Sequence, residues 1–386
     1  MQTTFASIMP ITPRPEIIFE SGQGSWLSDQ NGKRYLDFVQ GWAVNTLGHC
    51  SPVISAAITQ QAAKLVNPSP AFYNRPMLEC ADLLIKHSVF DRVFFANSGA
   101  EANEGAIKLA RKWGSVHKGG AYKIITFVNS FHGRTLTTMA ASGKTAFADL
   151  FEPKTPGFLK VAFNDIDAVK QAIDAQTVAI MLEPIQGEAG VIPATTDFLQ
   201  ALRQLADEQH LLLIMDEVQT GVGRTGELFA YQQHGIEPDI MTLGKGLGGG
   251  VPISALLAKE HCCVFQPGDQ GGTYNGNPLM TAVSAAVLQE VLKPAFLPQV
   301  KAIGHYLRTA LEQLSNRFGL GEVRGQGLLV ALNTGTHDAN AIVKTALDKG
   351  LLLNAPRPDT LRFMPALNLT MTEVDQMVSI LADILA

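Results

Sequence analysis

Cysteine is scarce: Cys50, Cys80, Cys262 and Cys263 are the only four in 386 residues. None lies in a CxxC arrangement, so the chain carries neither a disulfide framework nor the usual zinc or dithiol spacing, and a reducing compartment suits it. Long apolar runs are missing as well, since the ~18 consecutive apolar residues of a membrane helix occur nowhere. Residues 1–10 show no basic stretch followed by an apolar core of the kind that directs secretion. Low-complexity tracts, internal repeats and long charge runs are also absent. Lys and Arg total 30 against 35 Asp and Glu, and the formal charge of -5 offers no electrostatic attraction to nucleic acid or to an anionic membrane. These absences predict a cytoplasmic protein with small-molecule partners, no nucleic acid and no membrane.

What is present is a globular composition, 46% hydrophobic and 17% charged, in a chain long enough for two to three units of ~150 residues or one large core with appendages. Short apolar or β-branched runs at 92–96, 122–128, 178–182, 211–215, 239–243 and 253–258 read as buried strands. Helical patterns separate several of them, as at 198–208, where Phe198, Leu202, Leu205 and Ala206 share one face. The alternation predicts an α/β fold whose large domain holds a mostly parallel sheet, with ligands beyond the carboxyl ends of the strands. Near the N-terminus, Asp29-Gln30-Asn31-Gly32 reads as the turn of a hairpin. From Phe296 onward helices mix with short strands at 328–332 and 361–364, which predicts a smaller α+β domain. The expected division is 1–50 as an N-terminal segment contributing to the small domain, 51–295 as the large domain, and 296–386 as the C-terminal small domain.

Two stretches match GxGxxG: Gly221-Val-Gly-Arg-Thr-Gly226 and Gly244-Lys-Gly-Leu-Gly-Gly249. Neither fits a dinucleotide fingerprint, which needs its glycines directly after the first strand of a βαβ unit; residues 216–220 intervene before one, and a lysine separates the glycines of the other. Ser142-Gly-Lys-Thr145 lacks the glycine five positions before Gly143 that a phosphate-wrapping loop requires, so ATP binding is unsupported.

Three features carry chemistry. The segment Asn97-Ser-Gly-Ala-Glu-Ala-Asn103 follows a strand and opens a helix, so its free N–H groups and the hydroxyl of Ser98 can hold a phosphate, although Ser98 also reads as a plain N-cap. Asp216 and Glu217 end a buried strand, either as helix caps or with Asp216 facing a cationic ligand. Lys245 stands in a glycine-rich turn after another strand, either as a surface charge or as a catalytic amine. Together they match pyridoxal phosphate, which requires an amine for its aldehyde, a carboxylate for its pyridine nitrogen and an anion site for its phosphate. Asp216 would stabilise the pyridinium charge, and Lys245 would both anchor the cofactor and move the proton.

The blocks Asn97–Asn103, Phe131-His-Gly-Arg-Thr135, Glu183-Pro-Ile-Gln-Gly-Glu188, Asp216-Glu-Val-Gln-Thr-Gly221, Thr242-Leu-Gly-Lys245 and Gly272-Thr-Tyr-Asn-Gly-Asn277 resemble, in order and spacing, the class III pyridoxal-phosphate aminotransferases. Within that class, Gly41-Trp-Ala-Val-Asn-Thr-Leu-Gly-His49, Pro156-Gly-Phe-Leu159, Val323-Arg-Gly-Gln-Gly-Leu-Leu329, Gly350-Leu-Leu-Leu-Asn354 and Leu361-Arg-Phe-Met-Pro365 are most similar to the members that act on N-acetylornithine. The resemblance spans essentially the whole chain. It implies a fold type I homodimer with shared active sites and Lys245 as the Schiff-base lysine. It further implies that Asp216 pairs with the pyridine nitrogen, Val218 and Phe131 cover the two ring faces, and Gln219 reaches the ring hydroxyl. Ser98, Gly99 and Ala100 would bind the phosphate, with Thr273 serving the neighbouring subunit's; His132 is given no catalytic role.

The implied reaction moves the δ-amino group of N2-acetyl-L-ornithine to 2-oxoglutarate, giving N-acetylglutamate 5-semialdehyde and glutamate, a step of arginine biosynthesis. Arg134 would bind the remote carboxylate; Arg362 would bind the glutamate α-carboxylate and pair with Glu188 when the donor lacks one. Taken without the resemblance, Arg134 reads as a surface turn residue and Glu188 with Arg362 as a structural ion pair. Alternative donors are succinyl-diaminopimelate, ornithine and 4-aminobutyrate, and a remoter alternative is an aminomutase that needs no oxo acid. The chain departs from commoner forms of the family at Trp42, expected to narrow the substrate pocket, at Asn275, where glycine is frequent, and at Gly272, which brings no hydroxyl to the substrate region.

Overall fold

The computed structural model describes residues 5–386; residues 1–4, the start of the N-terminal segment, lie outside the described residues. Strands β1 (Phe19–Gln23), β2 (Trp26–Asp29) and β3 (Arg34–Asp37) form an antiparallel meander. The expected turn closes it: the Asp29 carboxylate accepts from the N–H groups of Asn31 at 2.9 Å and Lys33 at 3.0 Å, the local bonding for which aspartate is favoured in turns.

The large sheet is built from β4 (Arg92–Ala96), β5 (Lys123–Phe127), β6 (Phe158–Val161), β7 (Thr177–Leu182), the two-residue pair β8 (Ile185–Gln186) and β9 (Ile192–Pro193) lying apart from it, then β10 (Leu212–Asp216), β11 (Ile240–Leu243) and β12 (Ser254–Ala258). Its order is β4-β12-β11-β10-β7-β5-β6. Neighbours from β11 to β6 are parallel, whereas β12 runs antiparallel to both β11 and β4. Strands β7, β10, β11 and β12 are buried at every position, because helices cover both faces, and this is why they read as continuous apolar runs. Six of the seven strands fall within about a residue of the expected runs. The seventh, β6, is an edge strand of four residues interrupted by an exposed Lys160 and carries little hydrophobic signal. The reversal of β12 follows from its connection. Residues 244–253 are too few for the crossover that a parallel neighbour needs, so the chain turns back through a tight turn at Lys245–Leu247.

In the C-terminal part, β13 (Val323–Gln326), β14 (Leu329–Asn333), β16 (Asn354–Arg357) and β17 (Thr360–Phe363) form an antiparallel sheet in the order β13-β14-β17-β16. The short β15 (Leu351–Leu352) instead pairs in parallel with β3. Helices Phe296–Phe318 and Met371–Leu385 close over that sheet, and Leu36 and Phe38 from the N-terminal segment are buried in the same core. The α+β character expected after Phe296 is present. The turn Gly221–Gly226 ties this part to the large sheet: Arg224 is buried, and its Nη1 donates to the carbonyls of Leu328 at 3.0 Å and Pro365 at 2.5 Å. That motif is an anchor rather than a phosphate turn.

No single helix among the described residues is long and apolar enough to cross a membrane.

Candidate active site

The carboxyl ends of the parallel strands deliver the polar residues of the chain to one place, as this class of sheet does. β4 leads into Ser98 and the helix Gly99–His117, β7 into Glu183, β10 ends at Asp216, and β11 is followed by Lys245. A cavity of about 260 Å³ lies there, bounded among others by Gly99, Phe131, Arg134, Glu188, Asp216 and Lys245. Ala100, Val218 and Gln219 complete the set of expected residues that meet in it.

Asp216 is the most firmly held. Its Oδ2 accepts from Asn103 Nδ2 at 2.8 Å and contacts His132 Nδ1 at 2.8 Å, while Oδ1 accepts from the Val218 N–H at 3.1 Å. Asn103 is fixed in turn, donating to the His132 carbonyl at 2.7 Å and accepting from Thr242 Oγ1 at 2.6 Å. A carboxylate so braced keeps one orientation toward the cavity. Its neighbour Glu217 turns the other way and caps a short turn, accepting from the N–H groups of Ala230 at 2.7 Å and Tyr231 at 2.9 Å. Of the two strand-end acids, only Asp216 lines the cavity.

Burial lowers the pKa of the Lys245 ammonium; Glu188 opposes that shift and Arg362 adds to it. The lysine backbone sits at φ 42°, in the left-handed region, within a glycine-flanked turn. Ser98 caps its helix, its hydroxyl accepting from the Glu101 N–H at 3.3 Å. The next position must be small: a Cβ on Gly99 would stand 2.7 Å from Val218 Cγ1. The backbone of the turn therefore comes close to the cavity, with the N–H groups of a helix start available to an anion.

Glu188 lines the cavity, whereas Arg362, like Ser98, does not line it directly but meets the lining residues Glu188 and Gln219. Arg362 is almost wholly buried, yet its Nη2 lies 2.9 Å from Glu188 Oε1, and its other contacts are Asn354 Oδ1 and, at 3.4 Å, Gln219 Oε1. Burial pushes the Glu188 carboxyl up, but Arg362, Lys144 and Lys245 outweigh it and hold the pKa down at about 2. Glu183 has no such partner: burial pushes it up to about 7, against the opposing pull of His132. Its oxygens accept from the N–H groups of Phe131 at 2.9 Å and Gly187 at 3.4 Å, which fixes the backbone on both sides of the cavity.

Some expected residues stand elsewhere. Gly272 and Thr273 are exposed and do not line this chain's cavity, and Trp42, half exposed at φ 63°, does not line it either. Gly272 and Asn275 turn out to be linked. A Cβ at 272 would meet Asn275 Oδ1 at 2.7 Å, and that oxygen is engaged with Asn97 Nδ2 at 3.1 Å. Sequence reasoning assigns no role to Asn103 or Glu183, and His132, expected to have no catalytic role, braces Asp216. The available signal was position: Asn103 lies one turn into the helix that opens at the anion site, and His132 and Glu183 each lie inside a matched block.

The residues fit pyridoxal phosphate. Lys245, Asp216 and the helix start share one cavity, the glycine at 99 leaves its backbone clear, and His132 Nε2 is a buried polar atom without a hydrogen-bond partner beside the space a ring would fill.

Comparison with known proteins agrees. The family model described as aminotransferase class-III matches residues 10–385. The chain is 60% identical over 383 residues to acetylornithine aminotransferase 2 of Bordetella bronchiseptica, covering 98% of this chain and 97% of that protein. It is 49% identical over 381 residues to acetylornithine aminotransferase of Caldanaerobacter subterraneus, with the same coverage. Among solved structures, N-acetylornithine aminotransferase from Stenotrophomonas maltophilia superposes with a TM-score of 0.84 at 39% identity, over 96% of this chain and 95% of that one. Ornithine aminotransferase from Toxoplasma gondii superposes with a TM-score of 0.94 at 32% identity, over 98% and 92%. The chain belongs to the class III aminotransferases, pyridoxal-phosphate-dependent transaminases of fold type I.

Proposed function

We propose that the enzyme transfers the δ-amino group of N2-acetyl-L-ornithine to 2-oxoglutarate. The observation that carries this reading is the 2.9 Å pair of Arg362 with Glu188, a residue that lines the same cavity as Lys245. A terminal amine donor has no carboxylate on its reacting carbon, whereas glutamate does. A buried guanidinium that can be neutralised by a neighbouring carboxylate, or released from it, serves both. The names of the relatives at 60% identity support the donor.

When bound, pyridoxal phosphate supplies the electron sink that acidifies the substrate C–H bond beside the nitrogen. Lys245 would hold the cofactor's aldehyde carbon at rest, and its Nζ, with its pKa lowered by burial, would move the proton from the substrate carbon to the carbon that had borne the aldehyde. Asp216, braced by Asn103 and His132, would face the pyridine nitrogen. Ser98, Gly99 and Ala100 would hold the phosphate. Val218 and Phe131 would cover the ring faces, and Gln219 would meet the ring hydroxyl. Arg134 binds the remote carboxylate, and Arg362 the α-carboxylate of glutamate, through planar two-pronged bonds.

The active unit in this reading is a homodimer. Phe72, Tyr73 and Tyr274 are 67%, 84% and 61% exposed, on two segments joined by Asn74 Nδ2 donating to the Gly276 carbonyl at 2.8 Å. Three such rings on one monomer surface fit burial against a second copy, to which Thr273 would lend its hydroxyl.

The deciding experiment mixes holoenzyme with N-acetylornithine, ornithine, succinyl-diaminopimelate or 4-aminobutyrate and follows its visible absorbance band. The band is expected to fall fastest with N-acetylornithine and to return with 2-oxoglutarate. A faster fall with ornithine would transfer the reading to that donor, and an isomerised product without oxo acid would make the enzyme an aminomutase.

A further inference from the structure

Lys144 has no part in the chemistry assigned so far, yet its ammonium lies 3.1 Å from Glu188 Oε2 while Arg362 holds Oε1. One carboxylate is thus shared by two cations, one on each oxygen. The lysine is well placed to stay there. Its Nζ lies over the rings of Phe131 and Phe147, 5.8 and 6.0 Å from their centroids. The backbone before it is pinned, with Ser142 Oγ donating to the Thr138 carbonyl at 2.7 Å and the Gly143 N–H to Ser130 Oγ at 3.0 Å.

The charges can be counted for both halves of the reaction. As they stand, Glu188 and its two partners Arg362 and Lys144 sum to one positive charge. An amine donor without a carboxylate at its reacting carbon leaves that sum unchanged. Glutamate adds one carboxylate, and once Arg362 has turned to it the four groups are neutral. Were Lys144 absent, the same event would leave two carboxylates facing one guanidinium in a partly desolvated setting. At the effective dielectric of such sites, an uncompensated like-charge contact disfavours binding by about tenfold or more.

We propose that Lys144 is a positioning residue that keeps Glu188 paired after Arg362 has left it, and thereby sets how well the enzyme accepts glutamate relative to its amine donor. This rests on the reading of Glu188 and Arg362 as an exchangeable pair.

Half-reactions of the holoenzymes of Lys144→Met, Lys144→Arg, Glu188→Gln and the Lys144→Met/Glu188→Gln double variant test it. Lys144→Met is expected to lower kcat/KM for glutamate by about tenfold more than for N-acetylornithine, the penalty of one unpaired charge, and Lys144→Arg to restore most of the loss. In the Glu188→Gln background the Lys144 effect should vanish, because no charge remains to be held. Equal losses in both half-reactions would overturn the proposal in favour of a structural prop. A loss that persists undiminished in the Glu188→Gln background would overturn it in favour of direct substrate binding beside Arg134, whose guanidinium lies 5.5 Å from the same Phe147 ring. A Glu188→Gln variant that still separates the two substrates normally would remove the exchangeable pair and this proposal together. If Glu188→Gln alters that separation while Lys144→Met changes nothing, only the proposal falls.

Discussion

Arg224 and Arg362 are equally hidden, 2% and 1% exposed, and they are held in different ways. Arg224 lies in the turn after β10 and gives its bonds to two main-chain carbonyls, those of Leu328 and Pro365. Those partners belong to the fold and cannot move without it. Arg362, on β17, gives its bonds to side chains, Glu188, Asn354 and Gln219. Side chains can rotate away, so this charge can be handed to something else. Depth of burial does not separate an anchor from a binding group; the kind of partner does.

The largest effect that could break this contrast is on activity. Arg362→Leu should lower kcat/KM for glutamate by about 10²-fold or more, since truncating one member of a buried charge pair costs about 2–5 kcal/mol. Its stability should change little by comparison, because Glu188 keeps Lys144. Arg224→Leu should do the reverse, losing about 2–4 kcal/mol of stability because two buried carbonyls lose their donor, while kcat per folded molecule is retained. Denaturant melts of the two holoenzymes beside steady-state rates check both, and the contrast fails if Arg362→Leu is the less stable.

Two carboxyls extend the contrast to pH. Glu188, held down at about 2 by its cations, contributes stability that is present above the ordinary carboxyl pKa and is lost as pH falls toward 2. Glu183, raised to about 7 by burial, has the opposite sign: it carries a proton more readily in the folded chain, and its ionisation weakens the fold as pH rises from about 4.5 through 7. Glu183→Gln should therefore stabilise the protein at pH 8 relative to pH 5 by about 1–3 kcal/mol compared with the parent chain. An equal effect at both pH values would mean that Glu183 ionises normally. The smallest effect belongs to Arg92, which forms a two-pronged pair with Glu260 in the open, 67% and 62% exposed. Arg92→Ala should leave the denaturation midpoint unchanged within the error of the melt.

The legible parts of this molecule are those where one stretch of sequence meets one environment. Strands such as β7 and β10, buried on both faces, appear as unbroken apolar runs, and Asp216 and Lys245 can be read because they interrupt such runs at the end where ligands gather. Direction is not written in a run, so the reversal of β12 becomes visible only through its short connection. Asn103 and His132 meet Asp216 from 113 and 84 residues away, and no local pattern marks a hydrogen bond of that span. Lys144 looks like a loop lysine until Glu188, 44 residues on, is seen beside it. The small amide of Asn275 likewise takes its meaning from Asn97.

That amide also constrains how the chain can change over time. A residue with a Cβ at 272 would crowd the Asn275 amide, which would have to shift and so loosen its bond to Asn97. Glycine at 275 would leave that space open. The two positions are therefore coupled, and a change at one is felt by Asn97 through the other.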